Sequence, residues 1–174
     1  KTKMIAERVF LSYKDKIDII CLRPATVCGL SERLRLDLTV NKLTYDAFYK
    51  NKIFVDGGDQ IRPNIHIKDL IAAIDCLIFN KKKLNHNIFN VGFENLTISE
   101  IANKIQNKTG AKIHVNKNRD LRSYRQDSSR LLKFGFRPKY NVSLAINDLI
   151  YFFKTKSKIN FTKKNFNLLR MKEL

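Results

Sequence analysis

The chain has 174 residues, 44% of them hydrophobic, and carries a formal net charge of +18 at pH 7. This length is enough for one domain with a packed core, and no apolar run approaches the roughly 20 residues needed to span a membrane, so we expect no membrane partner. The charge is compatible with nucleic-acid binding, but the cations are scattered along the chain. An anionic small substrate accounts for it equally well, so nucleic acid is only a minor alternative.

Periodicity and end signals predict an alternating series of helices and strands. Helices are predicted at residues 1–13, 38–49, 70–79, 97–109, 127–133 and 143–154. Strands are predicted at residues 18–22, 52–55, 87–91 and 112–115. Because the two kinds of element alternate, the predicted fold class is α/β. The helix at 70–79 is apolar nearly all round and is predicted to be buried between layers.

The ends and connections of these elements carry further signals. Thr97 or Ser99 is the predicted N-cap of the fourth helix, which Gly110 ends. Residues 30–37 and 116–126 are interpreted as polar loops, and the basic tail at 156–174 has no clear period and is predicted to be mobile. The first helix has no cap, so we expect the N-terminus to be a cut within a helix.

Cysteine and histidine usage argues against disulfides and metals. Cys21, Cys28 and Cys76 are odd in number and lie in apolar surroundings, as expected for reduced core residues of a cytoplasmic protein. The three histidines lack metal-ligand spacing, so no metal site is expected. His66 is interpreted as a half-buried residue that bonds to the backbone.

The stretch 55–70, VDGGDQIRPNIHIKDL, combines three features. Gly57 and Gly58 predict a turn in which a side chain would be in the way. Arg62 follows on a rigid, extended segment fixed by Pro63, and Asp69 is an N-cap candidate for the next helix. A fixed guanidinium between a glycine turn and a helix start can bind a phosphate. The alternative is a surface turn with a solvated arginine.

Common catalytic and phosphate-binding motifs are absent from the sequence. The six glycines never fall into GxGxxG or GxxxxGK spacing, and no Gly-x-Ser-x-Gly occurs. Lys3, taken alone, is a solvated lysine on a helix face, and Arg122 is an ordinary loop arginine.

Four motifs, taken in order, nevertheless resemble one family. Residues 2–7 (TKMIAE) resemble the end of a Tyr-x-x-x-Lys segment, and residues 22–29 (LRPATVCG) resemble LRPxxVYG, with Cys28 where tyrosine is common. Residues 57–69 resemble GxGxQxRxxxHVxD, and residues 120–125 with 132–138 resemble DxRxYxxD…LGFxP. The pattern is similar to the extended short-chain dehydrogenase/reductases that act as NAD-dependent epimerases and dehydratases of nucleotide-diphosphate sugars. It covers about residues 2–151.

The resemblance implies roles for individual residues. Lys3 would be the catalytic lysine that bonds the nicotinamide ribose and lowers the pKa of a tyrosine. Arg62 and Arg122 would clamp the diphosphate, and Asn90 would contact the nucleotide. The nicotinamide would be lined by Pro24, Ala25, Thr26 and Val27, with Thr26 also facing the sugar. The nucleotide sugar would be bordered by Asp37, Leu38 and Asn41.

The resemblance also implies an organisation. Residues 1–30 would be the tail end of a Rossmann-like NAD-binding domain, and residues 31–155 a substrate-binding region with returning Rossmann elements at about 64–92, before the tail at 156–174. The implied cofactor is NAD, with NADP not excluded, and the implied parent is a homodimer similar to UDP-glucose 4-epimerase.

The sequence departs from the family pattern in its first half. The glycine-rich NAD loop, the catalytic Ser/Thr and the tyrosine are not in the chain, so we expect a truncated portion that is inactive alone, with exposed apolar surface. Two alternatives remain: a non-catalytic nucleotide-binding fragment, and a basic nucleic-acid-binding protein.

Overall fold

The computed structural model describes residues 2–84, 86–116, 122–156 and 161–171, and its elements alternate as predicted. The helices are α1 (Thr2–Leu11), α2 (Thr39–Lys50), α3 (Ile67–Phe79), α4 (Ile98–Thr109), α5 (Ser129–Lys133), α6 (Val142–Thr155) and α7 (Asn167–Met171). The strands are β1 (Cys21–Pro24), β2 (Thr26–Cys28), β3 (Lys52–Asp56), β4 (Ile61–His66), β5 (Ile88–Val91), β6 (Glu94–Thr97) and β7 (Lys112–Asn116). Short 3₁₀ turns lie at Lys81–Lys83 and Lys163–Asn165.

The strands form three small sheets that are mostly parallel. Strand β1 pairs with β5, β2 with β4, and β3 with β7, all in parallel, while β6 joins β4 in antiparallel orientation. Only Ala25 separates β1 from β2, so the chain passes from one sheet to the next at this residue. The α/β class is confirmed. Strands β2 and β6 were not predicted, and β4 was predicted only as an extended segment.

The core consists of three neighbouring clusters. The first packs α2, α4 and α6 on β3, with Val40, Ile53 and Ile101 all fully buried. The second includes Phe89 from β5 and Leu77 from α3. The third gathers Leu34, Leu36, Leu149 and Phe153. Burial of each such side chain stabilises the fold by roughly 1.5–3 kcal/mol. The three clusters therefore hold the packed elements together.

The start of α3 differs from the prediction. His66, with φ −69° and ψ 139°, is the N-cap, and its side chain accepts a hydrogen bond from the Lys68 amide. Asp69 lies inside the first turn, is buried, and accepts hydrogen bonds from the amides of Lys139 (3.0 Å) and Tyr140 (2.9 Å). The prediction that Asp69 caps the helix was wrong, because the helix begins directly at the end of β4. His66 itself is fully buried rather than half-buried.

Two apolar helix faces are exposed. In α3, Ile71 and Phe79 are 52% and 84% exposed, so the prediction that this helix is buried between layers was wrong. The reason is that α3 packs through one side only, against β2 and β4. Helix α1 buries no residue and exposes an apolar set consisting of Met4, Ile5, Val9 and Phe10. The expected exposed apolar surface is therefore present.

Two segments predicted as loop or tail are more ordered than expected. Leu34 and Leu36 in the loop at 30–37 are buried, although the loop was predicted to be polar. Residues 161–171 of the predicted mobile tail form a 3₁₀ turn and α7, packed on α2 and α6 through Phe161 and Phe166. The rest of the predicted tail, residues 157–160 and 172–174, lies outside the described residues.

Other end signals were predicted well. Thr97 is the N-cap of α4, in a capping box with Glu100, and Gly110 ends the helix with φ 73°. Cys21, Cys28 and Cys76 are free, as expected, but only Cys28 is a buried core residue, and the other two are half-buried. In the part of the chain that the structure describes, no helix is long and apolar enough to cross a membrane, and no cluster of potential metal ligands occurs.

Candidate active site

The candidate site lies where the parallel strands β1 and β5 end. Arg23 lies opposite Asn90 and Pro24 opposite Val91, and the Ala25 amide donates to the Val91 carbonyl at 2.9 Å. The carboxyl end of parallel strands is where open α/β sheets bind ligands. Pro24, Ala25 and Thr26 line two different clefts, so this turn forms a shared wall between them.

The first cleft, with a volume of about 470 Å³, gathers most of the residues predicted for the cofactor and the sugar. Lys3 lies in it with Val27, Leu38 and Asn41. Loop residues Ser31, Arg33 and Arg35 line it as well, and all three belong to the polar loop that was predicted at residues 30–37. The structure thus brings together side chains from α1, from the β1–β2 turn and from the start of α2.

Lys3 is placed by an ion pair that sequence reasoning missed. The Arg23 guanidinium donates to both carboxylate oxygens of Glu7, from Nε at 2.8 Å and from Nη2 at 2.5 Å. This hydrogen bonding holds the pKa of Glu7 below its usual range. Because Glu7 lies one helical turn beyond Lys3 and Arg23 precedes Pro24, the pair sets the position of α1 against the cleft wall.

Asn41 shapes the first cleft through the backbone. Its side chain is buried, accepts a hydrogen bond from the Gly29 amide at 3.0 Å and donates to the Arg35 carbonyl at 3.0 Å. The amide group therefore joins the end of β2 to the loop before α2. Direct contact of Asn41 with a nucleotide sugar stays a prediction.

The second cleft, of about 420 Å³, lies on the other side of the wall and contains Asn90 with Pro63, Tyr124 and Asp127. The Asn90 side chain donates to the Asp127 carbonyl at 2.9 Å, which joins β5 to the segment before α5. Gln126 donates to the Arg23 carbonyl at 2.8 Å in the same region. A cradle for a ligand therefore exists beside Asn90, whose contact with the nucleotide remains a prediction.

Arg62 contacts the backbone of Arg122, and their joint role toward a diphosphate stays a prediction. The Arg62 guanidinium donates to the backbone carbonyls of Ile61 and Arg122 and lies 5.3 Å from the centre of the Tyr124 ring. The Tyr124 amide donates in turn to the Ile61 carbonyl at 3.2 Å. Residues 122–124 therefore run along the start of β4. The preceding motif residues Asp120 and Leu121 lie outside the described residues.

Arg62 is mostly buried and also lines a third cleft, of about 230 Å³, together with Asp37. Asp37 forms a two-pronged ion pair with Arg35, at 3.0 and 2.8 Å, which holds the pKa of the carboxyl below its usual range. Asp37 therefore lines the third cleft with Arg62, whereas its neighbour Leu38 lines the first cleft.

Two buried groups near the first cleft are held neutral. Burial raises the pKa of the Cys28 thiol to about 12, and the thiol donates to the Ile65 carbonyl at 3.4 Å. Burial likewise lowers the pKa of His66. Neither group is exposed for proton transfer, so the chemistry that the site offers is binding and orientation of a ligand, with Lys3 as an available cationic donor.

A comparison of sequence with known families decides the relationship. The NAD dependent epimerase/dehydratase family matches residues 1–92, which is more than half of the chain. The chain belongs to this family. The match includes Lys3, the turn at 24–27 and the stretch around Arg62, so the resemblance in sequence is confirmed.

Solved structures of the family share the fold. UDP-N-acetylglucosamine 4-epimerase from Bacillus cereus is 24% identical, with a TM-score of 0.76, over 91% of this chain and 54% of that one. UDP-glucuronic acid 4-epimerase from Bacillus cereus, in complex with UDP-glucuronic acid and NAD, is 20% identical, with a TM-score of 0.73, over 88% and 51%. dTDP-glucose 4,6-dehydratase from Bacillus anthracis, in complex with NAD, is 18% identical, with a TM-score of 0.70, over 94% and 52%. The chain spans about half the length of these structures.

Family membership supports NAD as the cofactor, and the described residues fit one end of it. Lys3 lies in the same cleft as Pro24 and Val27, where an ammonium group can donate to a ribose hydroxyl beside an apolar wall. The glycine-rich loop that grips a pyrophosphate is not among the 174 residues. The first cleft therefore fits the nicotinamide and its ribose.

Proposed function

We propose that the protein is an NAD-dependent epimerase or dehydratase of a nucleotide-diphosphate sugar, similar to a UDP-sugar 4-epimerase. The observation that carries this proposal is that one cleft brings Lys3 and the turn at 24–27 together with Leu38 and Asn41. A single cleft lets the end of a cofactor and a sugar lie with their reacting atoms in direct contact, as hydride transfer requires. Membership of the family supports the same class of reaction.

In this proposal each residue of the chain binds or orients a ligand. Lys3 bonds the ribose and lowers the pKa of the tyrosine that the family uses as acid and base. Thr26 faces the sugar, and Arg62 with Arg122 binds the diphosphate through charge-assisted hydrogen bonds. When bound, NAD supplies a reversible hydride acceptor. The catalytic tyrosine is not among residues 1–174, so we expect the chain assayed alone to bind ligands without turnover.

A second candidate function is nucleotide binding without catalysis. The neighbouring Arg62, Arg122 and Tyr124 favour it, because two arginines and an aromatic ring suit an anionic nucleotide whether or not chemistry follows. A cytoplasmic homodimer is also part of the main proposal. The free cysteines support the compartment, and the exposed apolar faces of α1 and α3 support association.

Calorimetric titration tests the binding half of the proposal. The chain is titrated with UDP, GDP, CDP and dTDP, and then with UDP-N-acetylglucosamine and dTDP-glucose, each with and without NAD. We expect one nucleoside diphosphate to bind and its sugar derivative to bind more tightly. If a sample with a cooperative thermal transition binds none of these compounds, the assignment of Arg62 and Arg122 is wrong.

Turnover separates the two candidates. The assay uses a protein that carries this chain together with the glycine-rich loop and the tyrosine of the family. If the main proposal holds, this protein should convert the sugar nucleotide when NAD is present. Tight nucleotide binding without any sugar product would instead favour the non-catalytic alternative.

A further inference from the structure

A C-terminal strap, residues 161–171, is hydrogen-bonded to the cleft loop, residues 30–38. The Asn165 side chain donates to the Leu34 carbonyl at 2.8 Å, and the Leu36 amide donates to the Asn165 carbonyl at 2.9 Å. Asn165 therefore both donates a hydrogen bond to the loop and accepts one from it. The strap therefore fixes the backbone of a loop that is more than 120 residues away in sequence.

Asn167 connects the strap to charged side chains of the cleft loop. Its side-chain oxygen accepts from Arg33 Nη2 at 2.7 Å, and its amide donates to an Asp37 carboxylate oxygen at 3.3 Å. Arg33 also donates from Nε to the Lys164 carbonyl at 3.2 Å. Arg33 lines the first cleft and Asp37 the third, so a single strap residue contacts one charged group of each.

An aromatic anchor holds the strap on the body of the protein. The Phe161 ring lies 5.1 Å from that of Tyr45 in α2 and 6.2 Å from that of Phe153 in α6, with the rings nearly perpendicular. Edge-to-face pairs of this kind add to the burial of their apolar area. Leu34 and Leu36 of the loop are buried in the same cluster. The loop is thus held between the helices on one side and the strap on the other.

We propose that Asn165 and Asn167 are positioning residues for the sugar part of the substrate. Through Leu34, Leu36 and Arg33 they hold the cleft loop so that its cations and Leu38 meet the sugar in the first cleft, while the diphosphate is bound at Arg62 and Arg122. This inference rests on the proposed function, since it assumes a nucleotide sugar in the clefts. It predicts that the strap affects binding of the sugar more than binding of the bare diphosphate, so that its loss lowers the preference for the sugar nucleotide.

The test uses the full chain and three variants, Asn165→Ala, Asn167→Ala and the double variant, with Asn107→Ala as a matched control because Asn107 is exposed on α4, outside both strap and loop. Hydrogen exchange is measured at the amides of residues 31–38. Affinities are measured for UDP-glucose against UDP and for dTDP-glucose against dTDP. We expect the exchange of the Leu36 amide to rise in the double variant, and the preference for the sugar nucleotide over its diphosphate to fall by about 3- to 10-fold, the scale of one or two lost hydrogen bonds.

Each outcome decides the inference. Faster exchange in 31–38 with a reduced sugar preference supports it, provided that Asn107→Ala changes neither. Unchanged exchange would show that the strap does not order the cleft loop. Faster exchange with an unchanged sugar preference would show that Asn165 and Asn167 do not position the sugar. If the unmodified chain binds none of the four compounds, the proposed function fails and the positioning role fails with it, while the exchange data still decide whether the strap orders the loop.

Discussion

Arg62 is a cation held by the backbone at the edge of a cleft. Its guanidinium is mostly buried, donates to two carbonyls and lies over the Tyr124 ring. A guanidinium fixed in this way loses little further entropy when it binds a phosphate. The residue therefore has a structural role toward residues 122–124 and a predicted binding role toward a diphosphate.

We expect Arg62→Ala to weaken binding of a nucleoside diphosphate by roughly 2–4 kcal/mol, the scale for losing one partner of a desolvated charge pair. Arg62→Lys keeps the charge but loses the planar fork, so its loss should be intermediate. Calorimetric titration measures both, with Arg137→Ala as the control because Arg137 donates only to the nearby Leu132 and Phe136 carbonyls in the described contacts. An unchanged dissociation constant for Arg62→Ala would show that Arg62 has only its structural role in β4.

His66 makes stability depend on pH. Burial lowers its folded-state pKa below the ordinary value of about 6.5, even though Asp148 lies 3.7 Å away, and Lys68 and Asp69 are its other charged neighbours. Between the two pKa values the unfolded chain binds more protons than the folded one, so the free energy of unfolding rises with pH. The full contribution is present above about pH 6.5 and is lost as the pH falls toward the folded-state value.

Urea unfolding at pH 7.5 and pH 5.5 checks this expectation. The native chain should be less stable at pH 5.5, and His66→Asn should reduce the difference, because asparagine can still accept from the Lys68 amide as an N-cap and does not titrate. His114→Asn is the control, since His114 is exposed on β7. An equal loss of stability in the native chain and His66→Asn would mean that other groups cause the pH dependence.

The turn between β3 and β4 depends on a glycine that the sequence singles out. Gly58 has φ +128°, and a Cβ atom at this position would overlap the Ser99 hydroxyl. The Ser99 amide also donates to the Gly58 carbonyl at 3.0 Å, which ties the turn to the first turn of α4. The turn and the helix start are therefore packed against each other.

Gly58→Ala should destabilise the chain by about 1–3 kcal/mol through backbone strain and overlap. Adding Ser99→Ala removes the overlapping hydroxyl, so the double variant should recover part of the loss, while the strain from the positive φ remains. Urea unfolding of the two single variants and the double variant measures the coupling. Equal losses in Gly58→Ala and the double variant would show that overlap with Ser99 is unimportant.

The N-terminus of α4 offers a separate test of stability. The Thr97 side chain accepts a hydrogen bond from the Glu100 amide, and the Glu100 side chain accepts one from the Thr97 amide. Thr97→Ala should therefore lower the free energy of unfolding by about 1 kcal/mol, and Thr97→Ser should lower it much less. Ser99→Ala serves as the comparison, because Ser99 was the other N-cap candidate in the sequence. A larger loss for Ser99→Ala than for Thr97→Ala would contradict the assigned cap.

The formal net charge of +18 at pH 7 raises the question of whether the protein binds nucleic acid. Basic residues occur in most elements, including α1, α2 and the turn at Lys81–Lys83, rather than in one element. A diffuse charge gives weak binding that counterion release makes steeply dependent on salt.

We expect random-sequence DNA to be retarded by the chain only at low salt, with the effect lost by about 0.15 M, where the Debye length is about 8 Å. Gel retardation over a series of salt concentrations measures this. Adding the nucleoside diphosphate that binds in the titration should not compete at low salt, because the two interactions use different surfaces. Retention of DNA binding at physiological salt would favour the basic nucleic-acid-binding alternative.

Features that depend on neighbouring residues could be predicted from the sequence. Hydrophobic periodicity and end signals located most helices, and Gly58, Thr97 and Gly110 were placed correctly because turns and caps are local chemistry. The order of motifs also determined the family, since the spacing of Lys3, the turn at 24–27 and Arg62 is a property of the chain. Strands β2 and β6 were missed because, with three and four residues, they are too short for an alternating pattern to stand out.

Contacts between distant segments became visible only in the folded chain. The sequence contains no signal that Glu7 pairs with Arg23, that Asn41 joins Gly29 to Arg35, or that residues 161–171 bind the loop at 30–38, because each contact joins groups brought together by packing. The N-cap at His66 and the exposed face of α3 were likewise set by how β4 and its neighbours pack. Periodicity reports which residues are apolar, whereas burial depends on which surfaces the rest of the fold supplies to cover them.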